Sequence, residues 1–473
     1  MNKVAKNAIV VISSSILAQF LAFLTTSFCG KRLGETAFGE LTTVQSIITY
    51  FTLFVLFGLQ TYGTREIAKD KNRIKTVVGD ILLFRIILFI ISFVLIAVVA
   101  LCIWKFNHDG VLAILLALYG LTLLPMAMSI DWVYSGLQKM EYNSVYNVLK
   151  SGVPFVLVYI FLKEKTQLYY VPLFTALALI IGVMFQFYGY FFKERLNVKV
   201  RLNKITMLGY VNFGLPFVIS GLLAMINGNV DRVVIYFSRG SAEAGIYASG
   251  YNIIFFLINV VGMIFIPIFP VMISYFHENS KEKLCELMDK TSKILAAFII
   301  PVALGGIILS KQLIILLYDK TYVSAYISFS ILLVYVVILF FRELYGYGLN
   351  AFNLERKYVK AVAVSAIVNL GLNLVLTPKY GMNIAAIITL ASEIINFVMM
   401  KQYTKEIIVV PNMKNIVRAL FPGLLMAAIT LLLKYNNINI IMNIVISAAM
   451  YCLFIFITKY ITMGEIKSLL RKG

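Results

Sequence analysis

The sequence predicts an all-α polytopic membrane protein of about fourteen transmembrane helices, in two six-helix lobes followed by two further helices. Three observations carry that expectation. Of 473 residues, 61% are hydrophobic and only 14% charged, where an ordinary soluble domain carries about 25% charged residues. The apolar segments run to about twenty residues, which suits helices crossing about 30 Å of hydrocarbon. They lack the ten-residue alternation of an outer-membrane barrel. A soluble core of this length cannot hide so much apolar surface, so lipid is the solvent.

Spans are expected near 8–29, 41–60, 81–104, 111–130, 145–162 and 169–191, forming a first lobe over 1–206. A second set lies near 210–237, 246–272, 294–310, 325–346, 358–377 and 383–400, in a lobe over 207–405. Two more follow near 416–434 and 439–460, with a tail, in 406–473. The first apolar stretch follows Lys3 and Lys6. It is too long for a signal peptide and lacks an A-x-A exit, so it reads as helix one.

The formal charge of +20 belongs to loops at an anionic membrane face rather than to nucleic-acid binding. With a cytoplasmic N-terminus, the inner segments carry Arg65 to Lys75, Lys193 to Lys204, Lys281 to Lys293, Arg356, Lys357, Lys360, Lys401, Lys405 and Lys414. Lys467, Arg471 and Lys472 add to that side at the tail. The outer turns hold fewer, such as Lys31, Arg32, Lys105, Lys163, Lys165 and Lys379. Both termini are therefore expected in the cytoplasm of a bacterial inner membrane. Within 281–293, Leu284, Leu287, Met288 and Thr291 recur at helical spacing. That pattern suits a helix lying on the inner surface, or a solvated linker.

A weak repeat joins the two halves. Ser14, Leu17, Ala18, Gly34 and Gly39 recur at one constant offset as Ser220, Leu223, Ala224, Gly240 and Gly245. Gly136-Leu137-Gln138 resembles Gly348-Leu349-Asn350. Six spans per repeat keep both halves in one orientation, related by an axis along the membrane normal.

Polar residues inside apolar helices cost free energy unless they face a partner or a water-filled cavity. Thr42, Gln45, Ser46 and Thr49 share one face of span two. Ser220, Asn227 and Asp231 share one face of span seven. Span one offers Ser15, Gln19 and Thr26, and span eight Tyr251, Asn252 and Asn259. One stripe alone reads as interhelical hydrogen bonding. Four stripes on equivalent helices of the two halves point to a shared cavity. Its expected lining is Gln19, Arg32, Gln45, Thr49, Asn227, Asp231, Arg232 and Asn252.

A carboxylate at mid-helix costs about 2.5–3.5 kcal/mol on insertion scales. Glu393, flanked by Thr389 and Asn396 in span twelve, is the leading candidate for ion coupling, followed by Asp231. Asp231 and Arg232 also read as a local ion pair with an outward-snorkelling arginine, and Arg85 as one that snorkels to the inner surface. Pro125, Pro154, Pro216, Pro267, Pro270, Pro301 and Pro422 each remove a backbone hydrogen bond and kink or end a span.

No metal or disulfide framework is legible in Cys29, Cys102, Cys285, Cys452, His108 and His277. No Walker loop, GxGxxG after a strand or HExxH occurs. The expectation is a chain without cofactor that cannot hydrolyse ATP by itself.

Several segments together resemble the polysaccharide-repeat flippases (the Wzx type) of the multidrug/oligosaccharidyl-lipid/polysaccharide exporter superfamily. They are the asparagine- and serine-rich first span, Arg32-Leu33-Gly34 to Phe38-Gly39, and Gly63-Thr64-Arg65-Glu66-Ile67-Ala68. Asp131-Trp132 to Gly136-Leu137-Gln138, Asn229-Val230-Asp231-Arg232 and Ala244-Gly245-Ile246-Tyr247 complete the set. The resemblance implies lobes that rock against each other to turn a lipid-linked oligosaccharide from inner to outer leaflet. It implies a cationic cavity for the lipid pyrophosphate. H⁺ or Na⁺ is the coupling ion expected at Glu393, and a glycan polymerase with chain-length machinery is an expected partner. Membrane lipids are partners in any case; no nucleic acid is expected. Here only Arg32, Arg85 and Arg232 stand near the expected cavity helices. An ion-coupled exporter of drugs or cations on the same scaffold is the main alternative. A membrane-embedded glycan polymerase needs acceptor-handling outer loops, and every outer loop here is about a dozen residues or fewer.

Overall fold

The computed structural model describes residues 3–107, 109–201, 203–408 and 412–460. His108 and the tail residues Lys467, Arg471 and Lys472 lie outside the described residues. Every regular element among the described residues is helical. Among the described residues, thirteen stretches are long and apolar enough to cross a membrane. The first of them contains two of the expected spans. Helix α1 (Lys3–Leu56) has 54 residues, about 80 Å at 1.5 Å per residue, more than twice the hydrocarbon thickness. It bends at Gly34, whose φ of 76° and ψ of 171° break the helix there. The fourteen-span expectation holds with that bend counted.

Contacts divide the chain into two units, Met1–Ala248 and Ser249–Gly473. The first contains α1, α2 (Leu59–Lys69), α3 (Ile74–Asn107), α4 (Gly110–Gly120), α5 (Leu123–Met128) and α6 (Asp131–Gly136). It continues with α7 (Met140–Phe161), α8 (Tyr170–Tyr188), α9 (Lys204–Arg239) and the start of α10 (Ser241–His277). Span four is thus two short helices, with Pro125 in the second. A buried core gathers Phe57, Ile81, Phe84, Trp132, Tyr134 and Tyr210. The segment between α8 and α9 is strapped along α3: the Lys199 amide donates to the Lys75 carbonyl (2.9 Å) and that of Arg201 to Asp80 (2.6 Å).

The repeat of glycines has a backbone counterpart. Gly240, between α9 and α10, has φ 97° and ψ 168°, close to the geometry of Gly34. Five residues beyond each, Gly39 and Gly245 meet backbone to backbone. A Cβ on Gly39 would lie 1.8 Å from the Ser241 carbonyl oxygen, and one on Gly245 1.9 Å from that of Glu35. Only glycine fits a crossing that close.

The second unit continues with α11 (Lys281–Ile308), α12 (Ser310–Leu317), α13 (Tyr326–Ala351), α14 (Glu355–Tyr380), α15 (Met382–Thr404), α16 (Asn412–Tyr435) and α17 (Ile440–Ile457). Residues 281–293 are helical, but continuous with span nine in α11 rather than a separate surface helix or a linker. Leu284, Met288 and Thr291 are buried along one face, as their spacing requires. Helices α16 and α17 are tied to α11. Asn415 donates to Asp289 (2.8 Å), Tyr451 to the Ala297 carbonyl (2.8 Å) and Lys434 to that of Ile308 (2.5 Å).

Candidate functional site

The second unit holds a charge cluster inside its helices. Glu393 stands at the midpoint of α15, eleven residues from either end. Arg342 lies nine residues before the end of α13, about 14 Å along the axis. Its Nε donates to Glu393 Oε1 at 2.6 Å and its Nη1 to Glu343 Oε1 at 2.9 Å. One guanidinium therefore serves two carboxylates. The side chains of Arg342 and Glu393 are 11% and 5% exposed, and that of Glu343 21%. Asn396, three residues after Glu393, is buried with an amide oxygen that meets no donor.

Beside the cluster, α14 and α15 are joined by a polar ladder. Ser365, Asn369, Asn373 and Thr377 recur every four residues on α14, and all are buried. Ser365 donates to the Ser392 carbonyl (2.9 Å) and Asn369 to the Ser392 hydroxyl (3.0 Å). Such bonds join helices where apolar packing offers little driving force.

A cavity of about 1540 Å³ opens in the same unit, walled by residues of α10, α11, α13, α16 and α17. Most of its lining is apolar, including Leu257, Phe298, Leu333, Met426 and Ile444. Lys283, Glu286, Lys290 and Lys293 line it at the N-terminal half of α11. Glu286 pairs with Lys290 at 2.5 Å, and Lys283 approaches Glu278 at 3.8 Å. Lys293 lies 5.5 Å from the centroid of the Tyr460 ring.

The first unit holds a second cluster. Arg85 does not snorkel: it is fully buried, with Nη1 donating to the Ser129 carbonyl (3.2 Å) and Nη2 to Gln60 (3.1 Å). Helix α3 begins at Ile74, so Arg85 sits eleven residues in, beyond reach of the end of the helix. Asp131 is within electrostatic reach of both Arg85 and Lys150. Near the end of α9, the Tyr247 hydroxyl donates to Asp231 at 2.8 Å, and Arg232 donates to Asn229 at 3.2 Å. The hydroxyl of Tyr236 donates to Asp109 at 2.6 Å.

The residues expected to line a cavity fall in both units. Gln19, Arg32, Gln45, Thr49, Asn227, Asp231 and Arg232 belong to the first, Asn252 and Glu393 to the second. The stripe of span two turns largely to its own helix. Thr42 donates to the Phe38 carbonyl, Ser46 to that of Thr42 and Thr49 to that of Gln45. Gln45 reaches the Tyr119 hydroxyl at 2.8 Å. Tyr50 donates to the Met225 carbonyl (3.2 Å), which joins α1 to α9. Gln19 and Asn227 are half-buried, and Arg32 is exposed with its guanidinium 5.1 Å from the Phe28 ring centroid. The Nδ2 of Asn252 is buried without an acceptor.

Sequence reading passed over Arg342, Glu343, Lys150 and the α14 ladder. The adjacent Arg-Glu pair was a legible signal. With the span expected to end at 346, it fell where snorkelling is ordinary.

A sequence profile of the family described as "Polysaccharide biosynthesis protein" matches residues 4–276. The chain belongs to that family. It is 24% identical over 153 residues to a protein of Escherichia coli (strain K12) named as an O-antigen transporter. That alignment covers 31% of this chain and 36% of the relative, so the chain matches about a third of the relative's length. Among solved structures, the lipid II flippase MurJ in an inward closed conformation superposes with a TM-score of 0.70 at 14% identity, covering 94% of this chain and 98% of that one. An inward-facing multidrug resistance transporter of the MATE family superposes with a TM-score of 0.68 at 17% identity, covering 85% and 98%. This family member is therefore a multi-pass membrane protein with the fold shared by those transporters.

Proposed function

We propose that this protein carries a lipid-linked oligosaccharide, held on a polyprenyl pyrophosphate, from the inner to the outer leaflet of a bacterial cytoplasmic membrane. The supporting observation is the cavity of the second unit. Its volume of about 1540 Å³ exceeds the roughly 300–1,000 Å³ of sites for drug-sized ligands. Its apolar walls suit an isoprenoid tail, and Lys283, Lys290 and Lys293 offer ammonium donors for a pyrophosphate. Family membership and the O-antigen transporter relative support the same cargo.

In this reading both termini are cytoplasmic, so the lysine end of α11 meets substrate where it is made. Two six-helix lobes, 1–206 and 207–405, alternate access, and 406–473 adds the helices that close the tail groove. Glu393, with Asp231 second, couples the cycle to H⁺ or Na⁺. A polymerase with chain-length machinery receives the product. Gln19, Arg32, Gln45, Thr49, Asn227, Asp231, Arg232 and Asn252 face the sugars.

Reconstitution tests the cargo. Proteoliposomes carrying a fluorescent polyprenyl-pyrophosphate oligosaccharide should transfer it between leaflets, and the triple variant Lys283→Gln, Lys290→Gln, Lys293→Gln should slow transfer at least tenfold. Export of cationic dyes without lipid-linked transfer would replace this reading by a drug exporter. Orientation has its own test. Single cysteines at Lys199 and Lys283 should be shielded from impermeant thiol reagents in intact cells, whereas one at Lys379 should label.

A further inference from the structure

The cluster around Arg342 does not balance in charge. One guanidinium faces two carboxylates, on α13 and α15, among helices with little exposure. Among the described residues, the other titratable groups that interact with Arg342 or Glu343 are Tyr347 on α13 and Tyr358 on α14, neither of them a cation. Unpaired charge is costly in such a setting. Arg342 holds Oε1 of Glu393 through Nε and spends Nη1 on Glu343. The acceptor left without a donor is the amide oxygen of Asn396, on the same face of α15, one turn beyond Glu393. A buried acceptor lacking a donor and a cluster lacking one positive charge are two separate observations. A single proton answers both.

We propose that Arg342, Glu343, Glu393 and Asn396 form an exchangeable proton site. On loading, a proton from water forms an O–H bond at the Glu393 oxygen that Arg342 does not take, and that hydroxyl donates to Asn396. On release the O–H bond breaks, the proton returns to water, and the cluster regains its negative charge. Arg342 and Glu343 are positioning residues: the guanidinium fixes which oxygen is free, and Glu343 supplies the second negative charge that makes the proton necessary. The site rests on the proposed transport only for the use to which the proton is put, and it names which of the two coupling ions is held.

Infrared spectroscopy of the full-length protein in lipid tests it without any substrate. A pH jump on the wild type should reveal the C=O stretch of a buried protonated carboxyl. Glu393→Gln should abolish that band. Glu343→Gln should abolish it too, because one carboxylate then balances Arg342. Asn396→Ala should keep the band but move it to higher frequency, as expected for a lost hydrogen bond. Thermal unfolding of each variant shows that it is folded. A purely structural ion cluster would give no such band in the wild type, and that result overturns the proposal. So would a band that survives Glu393→Gln, or one bleached when choline chloride is replaced by sodium chloride. A proton site found by these spectra in a protein that moves no lipid-linked oligosaccharide would leave the site standing and remove the transport reading.

Discussion

The two units pair charge with opposite balance. In the first, the half-buried Asp131 answers to two cations, the buried Arg85 and the exposed Lys150. In the second, Arg342 answers to two carboxylates, Glu343 and Glu393. Asp131 and Glu343 each stand five residues before the recurring glycine-leucine pair, at Gly136 and Gly348. One position of the repeat thus carries an acid in both units, and the surrounding helices decide its company. Helices α3 and α7 bring cations to it, whereas α15 brings a second acid. A scaffold repeated in sequence has been charged differently in its halves.

Removing the central cation of the second unit should have the largest effect. Arg342→Met leaves two carboxylates buried without a partner, and breaking a buried pair costs about 3–5 kcal/mol. The variant should lose most of its folded yield in detergent. Adding Glu343→Gln and Glu393→Gln should restore much of it. A single variant as stable as wild type would mean that water already reaches and screens the cluster.

The matching change in the first unit should cost less. Arg85→Met strands the Gln60 amide oxygen and leaves the Ser129 carbonyl to the Trp132 indole N–H alone, a penalty of about 1–3 kcal/mol. Asp131→Asn should also destabilise, because it leaves two cations without their acid. Thermal unfolding monitored by tryptophan fluorescence reports both, since Trp132 is adjacent in sequence to Asp131 and buried. If Asp131→Asn stabilised the protein, the cation excess assigned to this unit would be wrong.

Much of this architecture was legible in the sequence. Span count, the glycine repeat and the central place of Glu393 follow from apolar length and from the cost of charge in lipid. Gly34 and Gly240 are even matched in backbone geometry. The helix starts were not legible. Apolar runs mark the lipid-facing stretch, while α3 and α11 extend well beyond it, so Arg85 and residues 281–293 were placed at ends that do not exist. Partners were harder still. A polar face at helical spacing looks the same whether it bonds its own backbone, as Thr42 and Ser46 do, or the next helix, as Asn369 does.

That last distinction gives a smaller effect to measure. Asn369→Ala removes the bond to Ser392 across α14 and α15, and interhelical bonds in membranes average about 0.6 kcal/mol with a maximum near 1.7. Ser46→Ala, whose hydroxyl bonds only its own helix, should change stability less than Asn369→Ala does. Equal losses in thermal unfolding would mean that the α14 ladder does not join the two helices.

The smallest change expected in stability is also the one that best separates the two clusters. Glu393→Gln keeps the size of the side chain and its acceptor oxygen for Arg342 Nε, while Glu343 remains as the counter-charge. Removing one of two acids leaves one cation against one carboxylate, so unfolding should shift little, in either direction. Asp131→Asn removes the acid that answers to Arg85 and Lys150 and should destabilise. The contrast in size is the measurement. Transport should divide the variants in the other direction: Glu393→Gln should fold normally yet lose most lipid-linked transfer and any response to an imposed pH gradient. If Glu393→Gln instead unfolded as readily as Arg342→Met while the folded remainder kept its pH response, Glu393 would be a structural partner of Arg342. The carboxylate excess would then serve packing, and coupling would have to be sought at Asp231, where the Tyr247 hydroxyl already occupies one oxygen.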